Sequence, residues 1–110
     1  MEDLLIQIGK RILDRRKQLR LTQEELAEQA NITPQTISSA ELGKKALRPE
    51  NIIKISTALN VSTDYLLRGI VTPDDYSRLT QQFSQLSSAQ YQHLENIIDN
   101  FIAAVREQEA

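Results

Sequence analysis

The sequence predicts an all-α chain: five helices in a first unit, followed by a two-helix segment. Three observations lead there. Apolar residues recur at steps of three and four along most of the 110 residues. Helix-start signals recur at Thr22-x-x-Glu25, Thr33-Pro34, Thr72-Pro73 and Ser87-x-x-Gln90. No segment alternates apolar and polar residues with period two, so no sheet is expected.

Leu5, Ile8, Ile12 and Leu19 place a first helix over about 4–19, with Gly9 allowing close packing nearby. Leu19-Arg20-Leu21 is a short connection. Thr22 to Glu25 reads as a capping box, in which hydroxyl and carboxylate each accept from the other residue's backbone N–H. Leu26, Ala27 and Ala30 then form the buried stripe of a second helix ending near Ala30. Asn31 suits a left-handed C-terminal position, and Ile32 follows as an apolar anchor. Thr33 caps a third helix of about nine residues and Pro34 opens it, because its missing N–H would be unpaired there anyway. Gly43 follows its end. Pro49 opens a fourth helix, with Ile52, Ile53, Ile55 and Leu59 expected on the buried side and Asn60-Val61 at its end. Ser62 caps a fifth, Thr63 to Arg68, with Tyr65, Leu66 and Leu67 as core and Gly69 as the stop.

Beyond Ile70-Val71 a second unit begins. Thr72-Pro73-Asp74-Asp75 is a capped start whose carboxylates sit near the positive end of a helix. Tyr76, Leu79, Phe83 and Leu86 outline the sixth helix. Ser87 to Gln90 forms another capping box, with Leu86 and Tyr91 as its hydrophobic staple. The last helix runs from about 88 to 107. The expected division is therefore 1–71 and 72–110.

Composition narrows the function classes. Apolar residues make up 40% and charged residues 25%, which fits a soluble globular chain with a small core. There is no cysteine, which excludes disulfides, thiolate metal sites and thiol nucleophiles. No apolar run approaches about 18 residues, so no membrane span is expected. Met1-Glu2-Asp3 lacks the basic and apolar regions of a signal peptide, and a reducing cytoplasm is the simplest compartment. The net charge of −2 averages two unlike parts. Residues 1–71 hold 11 Lys+Arg against 9 Asp+Glu, and residues 72–110 hold 2 against 6. Lys10, Arg11, Arg15, Arg16, Lys17 and Arg20 cluster with only Asp14 against them. Such a cluster supports phosphate binding but does not establish it, since a charge run of this kind is more often a solvated helix face.

Catalytic chemistry has little support. His93 is the single histidine, and Gln92 and Glu95 do not complete a metal set with it. Asp74 and Asp75 read as helix-start charges before they read as an acid/base pair. Ser38, Ser39, Ser87 and Ser88 lack a companion base. There is no glycine-rich phosphate loop and no nucleophile turn. An enzyme, a cofactor and a metal are not expected.

Two short helices joined by a tight turn occur in many all-α folds. The stretch LTQEELAEQANITPQTISSAELGKK goes further. It resembles the helix-turn-helix of the lambda repressor/Cro-like (XRE-type) regulators, with IGKRI before it and ALNVSTDYLLRG after it, over about 8–69. The resemblance implies a five-helix lambda-repressor-like DNA-binding domain in which the third helix enters the major groove. It places Gln23 against a phosphate. Thr33, Pro34, Gln35 and Thr36 fall at the start of the recognition helix, with Gln35 suited to pair two ways with adenine. Ser38 and Ser39 lie one turn on. Lys44, Lys45 and Arg48 are phosphate contacts. Arg16 and Glu41 match an internal salt bridge, which removes Arg16 from the phosphate set. Leu26, Ala27, Ile32 and Ile37 match positions that fix the helix–helix angle. Pro34 stands where many relatives carry a polar base reader, and Leu42 replaces a frequent Asn.

In the last helix Tyr91, Leu94, Ile98, Phe101 and Val105 fall at alternating steps of three and four, with Ile97 and Ile102 widening the stripe. This is an a/d seam of about two heptads. It reads as a homodimer interface, matched to a two-fold operator; packing back on the chain's own domain is the alternative. The function implied by the resemblance is a sequence-specific transcriptional regulator, a dimeric repressor on a palindromic or pseudopalindromic operator. Two alternatives stay open. One is an antitoxin whose tail binds a toxin, the other a protein-interaction module on the same fold. Double-stranded DNA, a second copy and a toxin or antirepressor are the partners considered.

Overall fold

The computed structural model describes residues 2–109, and within them the chain forms seven helices. They are α1 (Glu2–Gln18), α2 (Gln23–Ala30), α3 (Pro34–Glu41), α4 (Pro49–Leu59), α5 (Thr63–Arg68), α6 (Pro73–Phe83) and α7 (Ser88–Glu109). Among the described residues there is no strand. The chain divides into two compact units, the first running to Tyr76 and the second starting at Ser77, so the division falls inside α6.

Local chemistry sets most boundaries. Thr22 Oγ1 accepts from the Glu25 N–H and Glu25 Oε1 accepts from the Thr22 N–H, each at 3.0 Å. Asn31 and Asn60 end α2 and α4 at φ 57° and 56°, the left-handed region that a short polar side chain tolerates. Gly69 ends α5 at φ 74°. Arg20, in the α1–α2 connection, also sits at φ 59°, without a residue type that signals it.

The core of the first unit is Ile8, Ile12, Leu26, Ala27, Ala30, Ile37, Ala40, Ile55, Leu59 and Leu66. Each large aliphatic side chain among them contributes about 1.5–3 kcal/mol by leaving water. α1 lies directly on α3 because residue 9 is glycine. A Cβ there would stand 2.3 Å from the Ala40 carbonyl oxygen and 2.6 Å from that of Glu41.

Two expectations are corrected here. Ile53 is 59% exposed, not buried. Successive helical residues point about 100° apart, so Ile52 and Ile53 cannot both face the core. The inward stripe is instead Ile52, Ile55, Ser56 and Leu59, with the buried Ser56 hydroxyl donating to the Ile53 carbonyl at 3.0 Å. In α5 only Leu66 is fully buried; Tyr65 and Leu67 are half-buried.

Arginines of α1 pin the ends of other helices. Arg15 Nε donates to the carbonyl of Leu59, the last residue of α4, at 3.0 Å. Arg11 Nη1 donates to the Leu66 carbonyl in the last turn of α5 at 3.1 Å. Both satisfy orphan helix-end acceptors and place positive charge at the negative end of a helix.

The start of α6 is tied to the start of α5 by one carboxylate. Asp75 Oδ2 accepts from the Thr72 N–H at 2.8 Å, the Thr72 hydroxyl at 2.9 Å and the Ser62 hydroxyl at 2.7 Å; Asp75 Oδ1 accepts from the Ser62 N–H at 2.8 Å. Partial burial acts to raise the Asp75 pKa, but these donors together outweigh it and hold it down at about 2.

In the second unit, the Ser87 N–H donates to Gln90 Oε1 at 2.9 Å and the Gln90 N–H to Ser87 Oγ at 3.2 Å, which makes the expected capping box of α7. Phe83, Tyr91, Leu94 and Ile98 line a shallow groove. The stripe beyond it is open, with Ile97 64% and Phe101 67% exposed. Tyr76, Leu79 and Leu86, expected as the apolar face of α6, are also exposed. No helix among the described residues is long and apolar enough to cross a membrane.

Candidate nucleic-acid interface

The turn between α2 and α3 is built from short-range rules. Asn31 takes the left-handed conformation, the Ile32 N–H donates back to the Ala27 carbonyl at 3.0 Å, and Thr33 reopens a helix three residues after the last one closed. Thr33 Oγ1 accepts from the Thr36 N–H at 3.2 Å and lies 2.8 Å from Thr36 Oγ1. Leu26, Ala27, Ile37 and Ala40 fill the space between the two helices and are buried.

A carboxylate fixes the other end of α3. Glu41, the last residue of α3, accepts from Arg16 Nε of α1 at 2.6 Å and from Arg16 Nη2 at 3.0 Å. It also accepts from Nε2 of Gln23, the first residue of α2, at 2.9 Å. Arg16 Nη1 donates to the Leu21 carbonyl at 2.9 Å, closing the network. The hydrogen bond that Arg16 donates to Glu41 raises the Arg16 pKa against the opposing effect of burial. Arg16 is thus structural, as its pairing with Glu41 implied.

With its back held, α3 turns its first residues outward. Thr33, Pro34 and Gln35 are exposed, and Thr36, Ser38 and Ser39 are half-buried. Lys44, Lys45 and Arg48 follow on exposed positions, and their side chains make no hydrogen bond or ion pair among the described residues. A polar cleft of about 410 Å³ brings together Gln35, Thr36, Ser39, Lys45, Arg48 and Asn51. Thr33, Pro34, Ser38, Lys44 and Gln23 lie outside its lining. Asn51 was not among the sequence candidates. Its signal was weak: a polar residue in the first turn of a helix opened by Pro49 also reads as ordinary capping chemistry.

The cation cluster of residues 10–20 divides. Arg11, Arg15 and Arg16 are committed to Leu66, Leu59 and Glu41, whereas Lys10, Lys17 and Arg20 are exposed. Among the described residues no group of three His, Cys, Asp or Glu side chains could hold a metal ion.

Comparison with known proteins adds four findings. The uncharacterized HTH-type transcriptional regulator YqaE of Bacillus subtilis (strain 168) is 43% identical over 54 residues, 49% of this chain and 47% of that protein. The c2 repressor of Salmonella phage P22, solved in complex with a synthetic operator, is 36% identical with a TM-score of 0.56, covering 57% of this chain and 96% of that one. A SinR protein/SinI protein complex matches 87% of this chain and 98% of that one with a TM-score of 0.55; at 24% identity this is a likeness of fold. The chain spans less than half the length of the curated relatives it matches. A helix-turn-helix family model matches residues 12–66, half of the sequence and the whole of the α2–turn–α3 frame just described, and the chain belongs to that family.

Proposed function

We propose that this chain is a sequence-specific DNA-binding transcriptional repressor, acting in the cytoplasm as a homodimer on a palindromic or pseudopalindromic operator. The observation that carries the reading is the outward start of α3, held rigidly from behind and flanked by the uncommitted cations Lys44, Lys45 and Arg48. In this reading α3 lies in the major groove. Gln35 presents its amide to an adenine edge, Ser38 and Ser39 donate or accept one turn on, and Thr33, Pro34 and Thr36 offer apolar contact to thymine methyls. Lys44, Lys45 and Arg48 neutralise phosphates. Gln23, whose amide nitrogen already donates to Glu41, brings the start of α2 to the backbone. Residues 1–71 serve as the DNA-binding part and 72–110 as the oligomerising part. Tyr91, Leu94, Ile97, Ile98, Phe101, Ile102 and Val105 supply the dimer seam. The uncovered apolar stripe on α7 supports it, as does the operator complex of the P22 relative.

Selection of bound sequences from a random duplex pool tests this. The expected outcome is two inverted half-sites at a fixed spacing, with affinity falling steeply as salt rises because bound phosphates release counterions. Enrichment of no sequence, together with binding that ignores salt, overturns it.

A further inference from the structure

The end of α3 and the loop after it have two sides. Ala40, Lys45, Ala46 and Leu47 line the polar cleft, and the same four residues line a second, apolar groove of about 310 Å³. Its other walls include Leu5 and Ile8 of α1, Ile52 of α4 and Leu67 of α5. The volume lies at the lower end of small-molecule sites, which are mostly apolar with a few polar groups at defined places. Here that group is Lys45; among the described residues it is the only charged side chain in the lining, and no carboxylate accompanies it. Its ammonium is exposed and makes no hydrogen bond or ion pair among the described residues. An apolar trough lined by one exposed lysine, with no side-chain partner among the described residues, complements an aliphatic chain ending in an acid. A neutral head group forfeits the ion pair, and a cationic one is repelled.

We propose that this groove binds a small amphipathic carboxylate of medium chain length, and that its binding opposes DNA binding. The second part rests on the DNA-binding reading above. Lys45 faces both cavities, so an ammonium paired with the ligand's carboxylate is withdrawn from a phosphate. The ligand then favours the DNA-free state by the free energy of that lost contact, and DNA disfavours the ligand equally.

Octanoate serves as the probe, with octanol and octylamine as matched controls, on the full chain. Backbone amide spectra report occupancy, and fluorescence anisotropy reports affinity for a duplex chosen by the selection experiment. Octanoate should give saturable shifts at Ala46, Leu47 and Leu67 that the controls do not reproduce. It should also weaken duplex binding about 5- to 50-fold. Lys45→Gln, a change at an exposed position that the fold tolerates, should bind octanoate about tenfold more weakly and leave its residual DNA affinity indifferent to octanoate. Equal binding of all three probes overturns the proposal, as do shifts confined to α7. Groove signals that move with protein concentration alone assign the groove to a second copy and overturn it as well. Octanoate bound in the groove without any effect on duplex affinity overturns the regulatory half. Absence of duplex binding before octanoate is added is a separate result: it removes the functional reading, and the regulatory half with it, while the amide shifts still decide whether the groove takes the acid.

Discussion

Arg16 and Glu41 face each other through two hydrogen bonds, 2.6 Å and 3.0 Å long, with side chains only 12% and 4% exposed. One comes from α1, the other from the last position of α3. A buried ion pair is weak evidence of net stabilisation, because desolvation of both ions opposes their attraction. Breaking it from one side is another matter. Glu41→Ala leaves a guanidinium in a nearly closed site and removes the acceptor of Gln23, and should cost about 3–5 kcal/mol in urea unfolding. Replacing both partners by apolar residues of similar volume should restore most of that loss. A double replacement as damaged as the single one contradicts this account.

Gly9→Ala should destabilise the first unit by about 1–3 kcal/mol. The added methyl meets the carbonyl oxygens of Ala40 and Glu41, which are backbone atoms of α3 and cannot swing aside as a side chain would. Thermal unfolding followed by circular dichroism checks the loss. Retention of wild-type stability would show that α1 and α3 can separate freely.

Asp75 links stability to acid. Its folded pKa of about 2 lies below the ordinary value of 3.8, so its contribution is present above the unfolded value and is lost as pH falls through about 2. At pH 7 Asp75→Asn should be less stable than wild type by about 2 kcal/mol, and the two curves should converge near pH 2. Urea midpoints across pH 2–7 measure this; parallel curves over the whole range count against it.

Gln35→Ala should relax base preference at one operator position at a cost of about 1–3 kcal/mol, and Lys44→Ala should weaken all duplexes alike while reducing the salt slope by about one. Binding profiles on a library of single-base operator variants separate these behaviours. An unchanged profile for Gln35→Ala removes that residue from base reading.

Ile98→Asp combined with Phe101→Asp should give a monomer by multi-angle light scattering, with helix content retained, because both residues are open to solvent in the single chain. A dimer that survives both charges moves the interface to another surface.

Signals that act within one or two turns were legible in the sequence. The Thr22/Glu25 and Ser87/Gln90 boxes, the left-handed Asn31 and the Thr33-Pro34 start all appear where their chemistry put them; Gly9 marked a close approach without naming α3 as the neighbour. The Arg16–Glu41 pair was legible only through family resemblance, since 25 positions separate the partners. Contacts chosen by tertiary packing were not legible. Ile53 satisfied a hydrophobic stripe as well as Ile52 did until the helix had to choose one face. Arg11 and Arg15 read only as members of a cation cluster, solvated or phosphate-binding, because nothing local shows that the carbonyls of Leu66 and Leu59 await them. Asp75 announced a helix start, but its reach to Ser62 depended on how the α5–α6 connection folds. In the candidate site, the exposure of Gln35 and Lys45 followed from their place on and after α3. Asn51 joined them only once α4 was laid alongside.

The three-way tie of Arg16, Gln23 and Glu41 opposes any tilt of α3 against its neighbours. A stiff probe transfers the work of fitting to whatever it touches. If α3 enters a duplex as proposed, sequences that bend or narrow easily at untouched steps are favoured over equally well-matched but stiffer ones, and part of the selectivity is written in mechanics that none of its side chains contacts.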